Sequence, residues 1–409
     1  MQVVYERCAG LDVHLRTVVA CVLLPERKDV RTFGTTTAEL TALGRWLEAE
    51  GVTHVAMEST GVYWQSVFNV LEALPLDVLV VNARGTPFYG LQTEAVLVIV
   101  VLNLLSWGCP LQAIVATFGL DERTVAAWLR RAGQHCQQVH QHLVQHGQID
   151  LQHVQADELW VKLVGKRVWQ ALALAAPSRL WLGGVISPQR DKALITAVVQ
   201  QVRACAVSGD ILVCVDGLAS YITAFLRVFR NPIYTGRRGR PRLVVEPGLL
   251  IGQVVKRYAA RRVVSTSQRV VRGTAKAIGA VLTTTATGNG IHTAYIERLN
   301  ATFRSHLPPL IRRGRALACH TATLEAGMWL VGVSYNFCWR HDSLRLATAA
   351  NVRRTWLERT PAMAAGLTDH PWALRDVLHY HVPPPAWVAP KHRGHLPKRL
   401  HHPPMPVAA

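Results

Sequence analysis

Apolar residues over the first 84 positions follow two different periods. Short alternating or continuous apolar blocks at 8–24, 52–58 and 77–81 predict β-strands. Between these blocks, 36–50 and 63–73 carry apolar residues at helical spacing. Strands that alternate with helices predict an α/β fold, and here the alternation stops without a return helix.

The rest of the chain shows longer elements. After a short linker at 85–90, residues 93–147 are predicted to be helical throughout. Strands, then a helix, a strand and a helix follow at 155–163, 166–176, 180–186, 191–204, 211–215 and 219–228. A stretch rich in Gly, Arg, Val and Thr occupies 231–290, and helices are predicted at 291–306 and 317–340. The Pro-, His- and Arg-rich tail after Pro383 is predicted to be poorly ordered.

Residues 111–128 have the apolar spacing of a helix-turn-helix. Gly119 can take the positive φ of the tight turn, and Asp121 is a good N-cap for a second helix. That helix would present several side chains to a DNA groove, namely Glu122, Arg123, Thr124, Ala127, Arg130 and Arg131. Val115 departs from the usual small residue at the helix crossing, and an ordinary helical hairpin is the alternative.

The charge of the chain is one-sided. Its 45 Lys and Arg against 26 Asp and Glu give a net charge of +19. Residues 1–84 carry a net −3, so residues 85–409 carry +22. A chain this basic favours a polyanionic partner, with nucleic acid ahead of an anionic membrane surface.

The sequence predicts a cytoplasmic, nucleoid-associated protein. No signal peptide follows Met1, and the longest apolar run, 95–105, is too short to span a bilayer. The eight cysteines are scattered singly without a C-x-x-C pair, which fits a reduced compartment and argues against a zinc ribbon or a disulfide framework.

Three carboxylates lie among apolar neighbours in the basic part of the chain. Asp157 falls early in a β segment, Asp216 ends the strand ILVCVD, and Glu297 lies near a helix start. Burying a lone carboxylate is costly unless cations compensate it, and carboxylate oxygens suit a pair of Mg²⁺ or Mn²⁺ ions. We expect Asp157 rather than Glu158 in the site, because adjacent strand residues point to opposite faces. Taken singly, each acid could be a strand-end turn residue or an ion-pair partner.

The order of these elements resembles the RNase H-like core of DDE-type insertion-sequence transposases, over about 85–383. The motifs that carry the resemblance are DELW, VDGLASY and YIERLN. It implies that Asp157, Asp216 and Glu297 are catalytic metal ligands and that Arg304, seven residues after Glu297, contacts the element's end DNA. Residues 335–341 resemble a Tyr-Asn…Arg-Pro-His segment of these enzymes, but Trp339-Arg340 replaces Arg-Pro, which leaves a role for His341 without support.

The basic stretch at 231–290 contains an RGRP core. This core resembles an AT-hook, in which Arg237, Arg238 and Arg240 would lie in a narrow minor groove. A solvated basic loop is the alternative. Arg261, Arg262, Arg269 and Arg272 follow at strand-like spacing and are expected to contact phosphate.

The first 84 residues resemble a different family, the RuvC-like DEDD insertion-sequence transposases. The segments GLDVHLRTVVACVL, VAMESTGVYW and VLVVNAR carry this resemblance. It implies that Asp12 and Glu58 are the first two of four metal carboxylates, and the segment that supplies the other two is missing. A gene fusion that leaves a truncated, vestigial fragment is favoured, and a genuine accessory module is the alternative.

Together these patterns predict an α/β protein of four parts. They are a truncated DEDD fragment (1–84), a helix-turn-helix region (85–150), an RNase H-like mixed-sheet catalytic domain (151–345, with a basic insertion at about 231–290) and an extension (346–409). The predicted function is DNA transposition, meaning DNA recombination and integration, by a homo-oligomer on element ends and target DNA, without a membrane partner. The alternative is a catalytically inactive DNA-binding relic or repressor of the element. An enzyme that uses Asp12 and Glu58 alone lacks ligands.

Overall fold

The chain forms two compact units, one built on residues 1–81 and one on residues 82–382. The computed structural model describes residues 6–58, 63–81, 87–88, 90–234, 240–260, 262–311, 320–347 and 356–383. Within these ranges no helix is both long enough and apolar enough to cross a bilayer. Arg237, Arg238, Arg261 and the tail after Pro383 lie outside the described residues, as does the side chain of Glu58.

The first unit is a five-stranded sheet with two helices. Its elements are β1 (Cys8–Val13), β2 (Thr17–Leu23), β3 (Lys28–Gly34), α1 (Thr37–Ala49), β4 (His54–Glu58), α2 (Trp64–Leu71) and β5 (Asp77–Val81). The strand order is β3-β2-β1-β4-β5, in which β1–β3 are antiparallel neighbours and β4 and β5 run parallel to β1. The apolar positions of the strands alternate, and one set packs with Leu43, Leu47 and Leu71 of the helices into a separate core.

The second unit begins with three helices, as the pattern predicts. They are α3 (Ala95–Ser106), α4 (Leu111–Phe118) and α5 (Glu122–His140), which continues as a π-helical turn over Gln141–Gln145. Gly119 ends α4 in the left-handed conformation, with φ 63°. The Asp121 side chain caps α5 by accepting from the backbone N–H groups of Arg123 and Thr124. Val125 and Trp128 are buried against Ile114, whereas Phe118 is 36% exposed.

A six-stranded sheet follows. Its strands and helices are β6 (His153–Leu163), β7 (Lys166–Ala175), β8 (Trp181–Ser187), α6 (Lys192–Cys205), β9 (Leu212–Val215), α7 (Ala219–Val228), β10 (Arg230–Ile233), β11 (Arg242–Val245), β12 (Leu250–Ala259), β13 (Arg262–Arg272) and α8 (Ala275–Thr284). The order in the large sheet is β13-β12-β9-β6-β7-β8, and β10 and β11 form a separate two-stranded sheet among the described strands. Part of the basic stretch therefore builds strands of the central sheet.

Helices from the end of the unit cover the sheet. They are α9 (Ala294–His306), a 3₁₀ turn (Pro308–Leu310), α10 (Thr321–Val333) with a π-helical turn (Ser334–Cys338), a 3₁₀ turn (Asp342–Leu344), the bridge pair β14 (Leu346–Ala347) and β15 (Trp356–Leu357), α11 (Pro361–Ala364) and α12 (Leu374–His379). Trp181 is fully buried and packs against Trp329 and Phe303, with ring centroids 5.2 and 5.6 Å away. The side chain of Asn336 bonds both the N–H and the C=O of Trp181 at 2.8 Å.

The first sheet and five of the six strands of the large sheet have the same strand order, although the sequence shows no internal repeat. In each unit three antiparallel strands are followed by a helix and a fourth strand that pairs parallel to the first. The next strand of each sheet, β5 or β12, pairs parallel to the fourth, but in the second unit β10 and β11 come before it. In the register of the first unit Leu11 pairs with Met57, one position before Asp12 and Glu58. In the second unit Ala156 pairs with Val215, one position before Asp157 and Asp216. Both units thus place two acids on neighbouring parallel strands at matching positions.

Candidate active site

The site lies in a notch of the large sheet. We use "the notch" for the gap between β6 and β12 beyond the end of β9. β9 stops at Val215, which is in register with Ala156 of β6 and Gln253 of β12, and both neighbours continue past it. A cavity of about 820 Å³ fills this gap. The short central strand therefore opens a pocket inside a sheet that is otherwise continuous.

Three carboxylates meet in the notch. Asp157 and Glu158 come from β6, and Asp216 follows the last residue of β9. One oxygen of each lies within 4.8 Å of the others, a spacing at which the three can hold a metal ion. We call these three residues the acid cluster.

The expectation that Glu158 would stay out of the site is wrong. Alternation along β6 does hold, because Asp157 bonds Asn300 of α9 while Glu158 bonds Arg190, which precedes α6. Beyond Val215, however, β6 pairs with none of the described strands on its β9 side, so side chains from both of its faces reach the same cavity. Strand alternation cannot exclude a residue at a free inner edge.

Glu297 lines the same cavity from α9 but stands outside the tight cluster. Its Oε1 accepts hydrogen bonds from Lys256 Nζ at 2.7 Å and from the Thr293 hydroxyl at 3.0 Å. Burial alone would raise the pKa of Glu297, but these two donors outweigh it and lower the pKa. The structure thus brings all three predicted acids to one cavity and gives Glu297 a cationic partner.

Two buried amides, which the sequence reasoning missed, fix α9 against the sheet. Gln155 Oε1 accepts from the backbone N–H groups of Tyr295 and Ile296, each at 3.1 Å, at the start of the helix. Asn300 Nδ2 donates to Asp157 Oδ2 at 2.8 Å. Asn300 lies three residues after Glu297 and so on the same helix face, a spacing that could have identified it.

The electrostatics of the acid cluster fit a bound cation. Burial, and then the charges of Glu158 and Asp216, raise the pKa of Asp157 to about 7. Burial and Asp216 also raise the pKa of Glu158, although Arg190 opposes them. The Glu158 side chain is only 2% exposed, and besides Arg190 it has the buried hydroxyl of Tyr221 as a polar neighbour. A divalent cation would relieve the repulsion among the three buried carboxylates.

Basic side chains surround the acids. Lys162, Arg190, Lys256 and Arg304 all line the cavity. Arg190 donates to Glu158 Oε1 from Nε at 2.8 Å and also from one terminal nitrogen. The cavity thus has acidic side chains in the notch and basic side chains around them. This arrangement suits an anionic substrate, because a metal ion can bind both the acids and the substrate.

The other predicted DNA contacts lie on separate surfaces of the same unit. Arg123, Arg130 and Arg131 of α5 are exposed, and Thr124 is half-buried at the capped start of the helix. Arg240 is exposed immediately after the undescribed part of the RGRP core. Of the arginines at strand-like spacing, Arg262 and Arg269 are exposed on β13, while Arg272 bonds the carbonyl oxygens of Leu249 and Glu246.

Asp12 of the first unit lies in a more open position than the acid cluster. The Asp12 side chain is 64% exposed and lies 3.3 Å from His14 Nε2. By register Glu58 is its neighbour on β4, at the last position of that strand. Among the described side chains, the acid cluster of the second unit meets the geometric requirements for a shared cation, and Asp12 does not.

The segment at 335–341 has a structural role. Tyr335 and Asn336 are buried, and Asn336 holds the backbone of Trp181. The His341 ring stacks edge-on against Tyr335 at 4.6 Å, and burial lowers the pKa of His341 to about 4. These contacts show that Tyr335 and Asn336 pack in the interior and that Asn336 holds the strand that contains Trp181.

If the acid cluster holds Mg²⁺, that binding should weaken as the pH falls. Burial and the neighbouring carboxylates raise the pKa of Asp157 to about 7, so below that pH a cation must displace its proton. We expect the Kd for Mg²⁺ to rise by about tenfold for each pH unit below 7. Isothermal titration calorimetry in two buffers of different ionisation enthalpy would measure both the Kd and the released proton. A Kd that is constant from pH 6 to pH 8 would contradict this titration.

Comparison with known families identifies one part of the chain. Residues 9–89 match the IS110-type DEDD transposase family, described as Transposase. No curated protein matches the sequence. The matched segment, about a fifth of the chain, supports an insertion-sequence transposase, and a transposase acts on DNA.

Proposed function

We propose that the chain is an insertion-sequence transposase that cuts and joins DNA in the notch of its second unit. The observation that carries the proposal is the acid cluster, three carboxylates within 4.8 Å of one another in a cavity with a basic wall. The transposase match at 9–89 gives independent support for the same class of function.

In this proposal Asp157, Asp216 and Glu297 would be the catalytic ligands of Mg²⁺ or Mn²⁺, and Glu158, the third member of the acid cluster, would share the cation with Asp157 and Asp216. A bound pair of such ions would activate a water or a 3′-hydroxyl and stabilise the leaving oxygen of the phosphodiester. Asn300 orients Asp157 and Thr293 orients Glu297, while Lys256 pairs with Glu297 until a cation takes its place. Arg190 and Arg304 bind the phosphates that flank the reacting bond.

The topology supports the DDE-type, RNase H-like assignment. In that family the first Asp lies on the first strand, the second follows the fourth strand, and the Glu lies on a later helix. Asp157 is on the first strand of the large sheet, Asp216 follows the fourth, and Glu297 is on α9. The notch explains why these positions suit the chemistry, because it lets a helix and two strands face one cavity.

The helix pair α4–α5 would bind the element ends. The left-handed Gly119, the Asp121 cap and the buried Ile114–Val125–Trp128 contact give these helices the construction of a helix-turn-helix. The exposed Arg123, Arg130 and Arg131 would face the DNA. Such enzymes act on paired ends, so we infer a homo-oligomer on DNA within the nucleoid.

Residues 1–84 are inferred to be a DEDD-type fragment fused to the DDE-type enzyme. The family match at 9–89 and the shared strand order support this origin. Among the described residues of the first unit no helix comparable to α9 follows β5, and the Asp12 side chain is 64% exposed. An accessory module that the chain uses is the alternative.

A DNA-binding relic or repressor without catalysis is the second candidate. The observation in its favour is the ion pair of Lys256 with Glu297, which occupies one of the three proposed ligands at 2.7 Å. The two candidates differ in what a divalent cation does to Lys256. In the enzyme the cation displaces the lysine from Glu297, whereas in the relic the pair persists.

Metal-dependent nicking decides between the candidates. The full chain should nick and join DNA that carries the element's flanking sequence when Mg²⁺ is present and not in EDTA. Asp216→Asn should bind the same DNA with unchanged affinity and lose nicking. If wild type and Asp216→Asn bind equally and neither nicks, the relic is correct.

The double variant Asp12→Asn/Glu58→Gln tests which acids are used. It should nick at the wild-type rate, because the proposed chemistry occurs in the second unit. Loss of nicking in this double variant, with retention in Asp216→Asn, would assign the activity to the first unit instead.

A further inference from the structure

The hairpin β6–β7 and Arg190, which precedes α6, form a patch of aromatic and cationic side chains beside the notch. Trp160 and Trp169 are cross-strand partners in the hairpin register. The Arg167 guanidinium lies 4.7 Å from the ring centroid of Trp160, and that of Arg190 lies 5.1 Å from Trp169. We call these four residues the tryptophan–arginine patch. Trp160 is 50% exposed although it is the largest side-chain type.

The patch is continuous with the acid cluster. Trp160 and Arg190 line the notch cavity together with the three acids. Trp160 is two residues after Glu158 and so on the same face of β6. Arg190 links them, because it bonds Glu158 while lying over Trp169. Two residues of a strand span roughly 6.6 Å, so Trp160 lies beside the acids on one continuous surface.

We propose that the tryptophan–arginine patch binds one unpaired nucleobase of the DNA strand that enters the notch. This proposal rests on the proposed function. The indole of Trp160 offers a stacking surface for any base, and Arg167 and Arg190 neutralise the phosphates on either side of it. Paired bases keep their faces covered inside the duplex, so this surface selects a strand that is open next to the reacting bond.

The chain supplies a matched control for this chemistry. Trp356 is 45% exposed and has Arg345 over its ring at 4.5 Å, yet it does not line the notch. Replacing Trp356 removes an exposed tryptophan–arginine contact of the same kind. If DNA affinity falls on replacing Trp160 but not on replacing Trp356, the effect comes from the position of Trp160 beside the notch and not from the removal of an exposed tryptophan.

The test uses the full chain and two DNA probes, a short duplex with a single-stranded overhang and the same duplex with blunt ends. The overhang carries 2-aminopurine, whose fluorescence is quenched on stacking, and binding is measured in EDTA so that no reaction occurs. Trp160→Ala should raise the Kd for the overhang probe by about 5- to 150-fold and abolish the quenching. Its Kd for the blunt duplex should be unchanged.

Trp160→Phe keeps an aromatic face and should retain the quenching, and Trp356→Ala should behave as wild type. The proposal is overturned if wild type binds the overhang probe no more tightly than the blunt duplex. It is also overturned if Trp160→Phe or Trp356→Ala loses as much affinity for the overhang probe as Trp160→Ala does. Because binding in EDTA does not require catalysis, a chain that stacks the base but never nicks with Mg²⁺ refutes the proposed function alone.

Discussion

Asp157→Asn should inactivate the protein and, without metal, make it more stable. Neutralising a metal ligand should lower the nicking rate by about a thousandfold or more, since even the outer partners of metal ligands cost 10–100-fold. Asn keeps the size of the side chain and can still accept the hydrogen bond of Asn300. The loss would therefore come from the missing charge.

The stabilising half of this prediction follows from the sign of the pKa shift. The pKa of Asp157 is raised from 3.8 to about 7 by burial and by its carboxylate neighbours. Between these values the folded chain binds more protons than the unfolded chain, so stability falls as the pH rises. Asp157→Asn removes this penalty and should increase the free energy of unfolding at pH 8 by up to about 4 kcal/mol.

Urea denaturation of both proteins in EDTA at pH 5 and pH 8 measures the effect. The advantage of Asp157→Asn should grow with pH, and Mg²⁺ should stabilise wild type but not the variant. Asp150→Asn, at an exposed position, is the control and should change neither quantity. Equal stability of wild type and Asp157→Asn at both pH values would show that the cluster is not under electrostatic strain.

Trp181→Ala should destabilise the second unit by about 3–5 kcal/mol, the cost of truncating a large buried aromatic side chain. The residue is fully buried between α9 and α10, in contact with Phe303 and Trp329. Phe303 is on the helix that carries Glu297, so the cavity left by Trp181 also loosens the site. We therefore expect Mg²⁺ affinity to fall together with stability.

Denaturation followed by circular dichroism would measure this change. Trp356→Ala again provides the comparison, since this tryptophan is 45% exposed and its loss should alter stability little. A Trp181→Ala protein as stable as wild type would show that the aromatic contacts do not hold α9 in place.

The sequence pattern predicted the parts of the site that depend on local order. Apolar blocks that end in Asp157 and Asp216 indicated strands, and the structure has β6 and β9 there. The pattern could not predict that β9 is shorter than both of its neighbours, because strand pairing depends on residues far apart in the chain. For this reason Glu158 was excluded by an alternation rule that holds only inside a paired strand.

The sequence pattern also could not predict the polar contacts that position α9. Gln155 and Asn300 act through partners 140 and 143 residues away, and neither has an unusual local pattern. The common topology of the two sheets was hidden for a similar reason. Strand order is set by burial and connection, which very different apolar sequences can satisfy equally.

The length of β9 therefore determines where the carboxylate that follows it lies in the notch. A strand advances about 3.3 Å per residue and reverses its side-chain direction at each step. Adding one residue to β9 would carry the following carboxylate deeper into the gap and turn it toward the opposite layer of helices. Deleting one residue would widen the gap and withdraw the carboxylate. The number of residues in β9, the shortest strand of the large sheet, thus sets the spacing between the acids as firmly as their identities do.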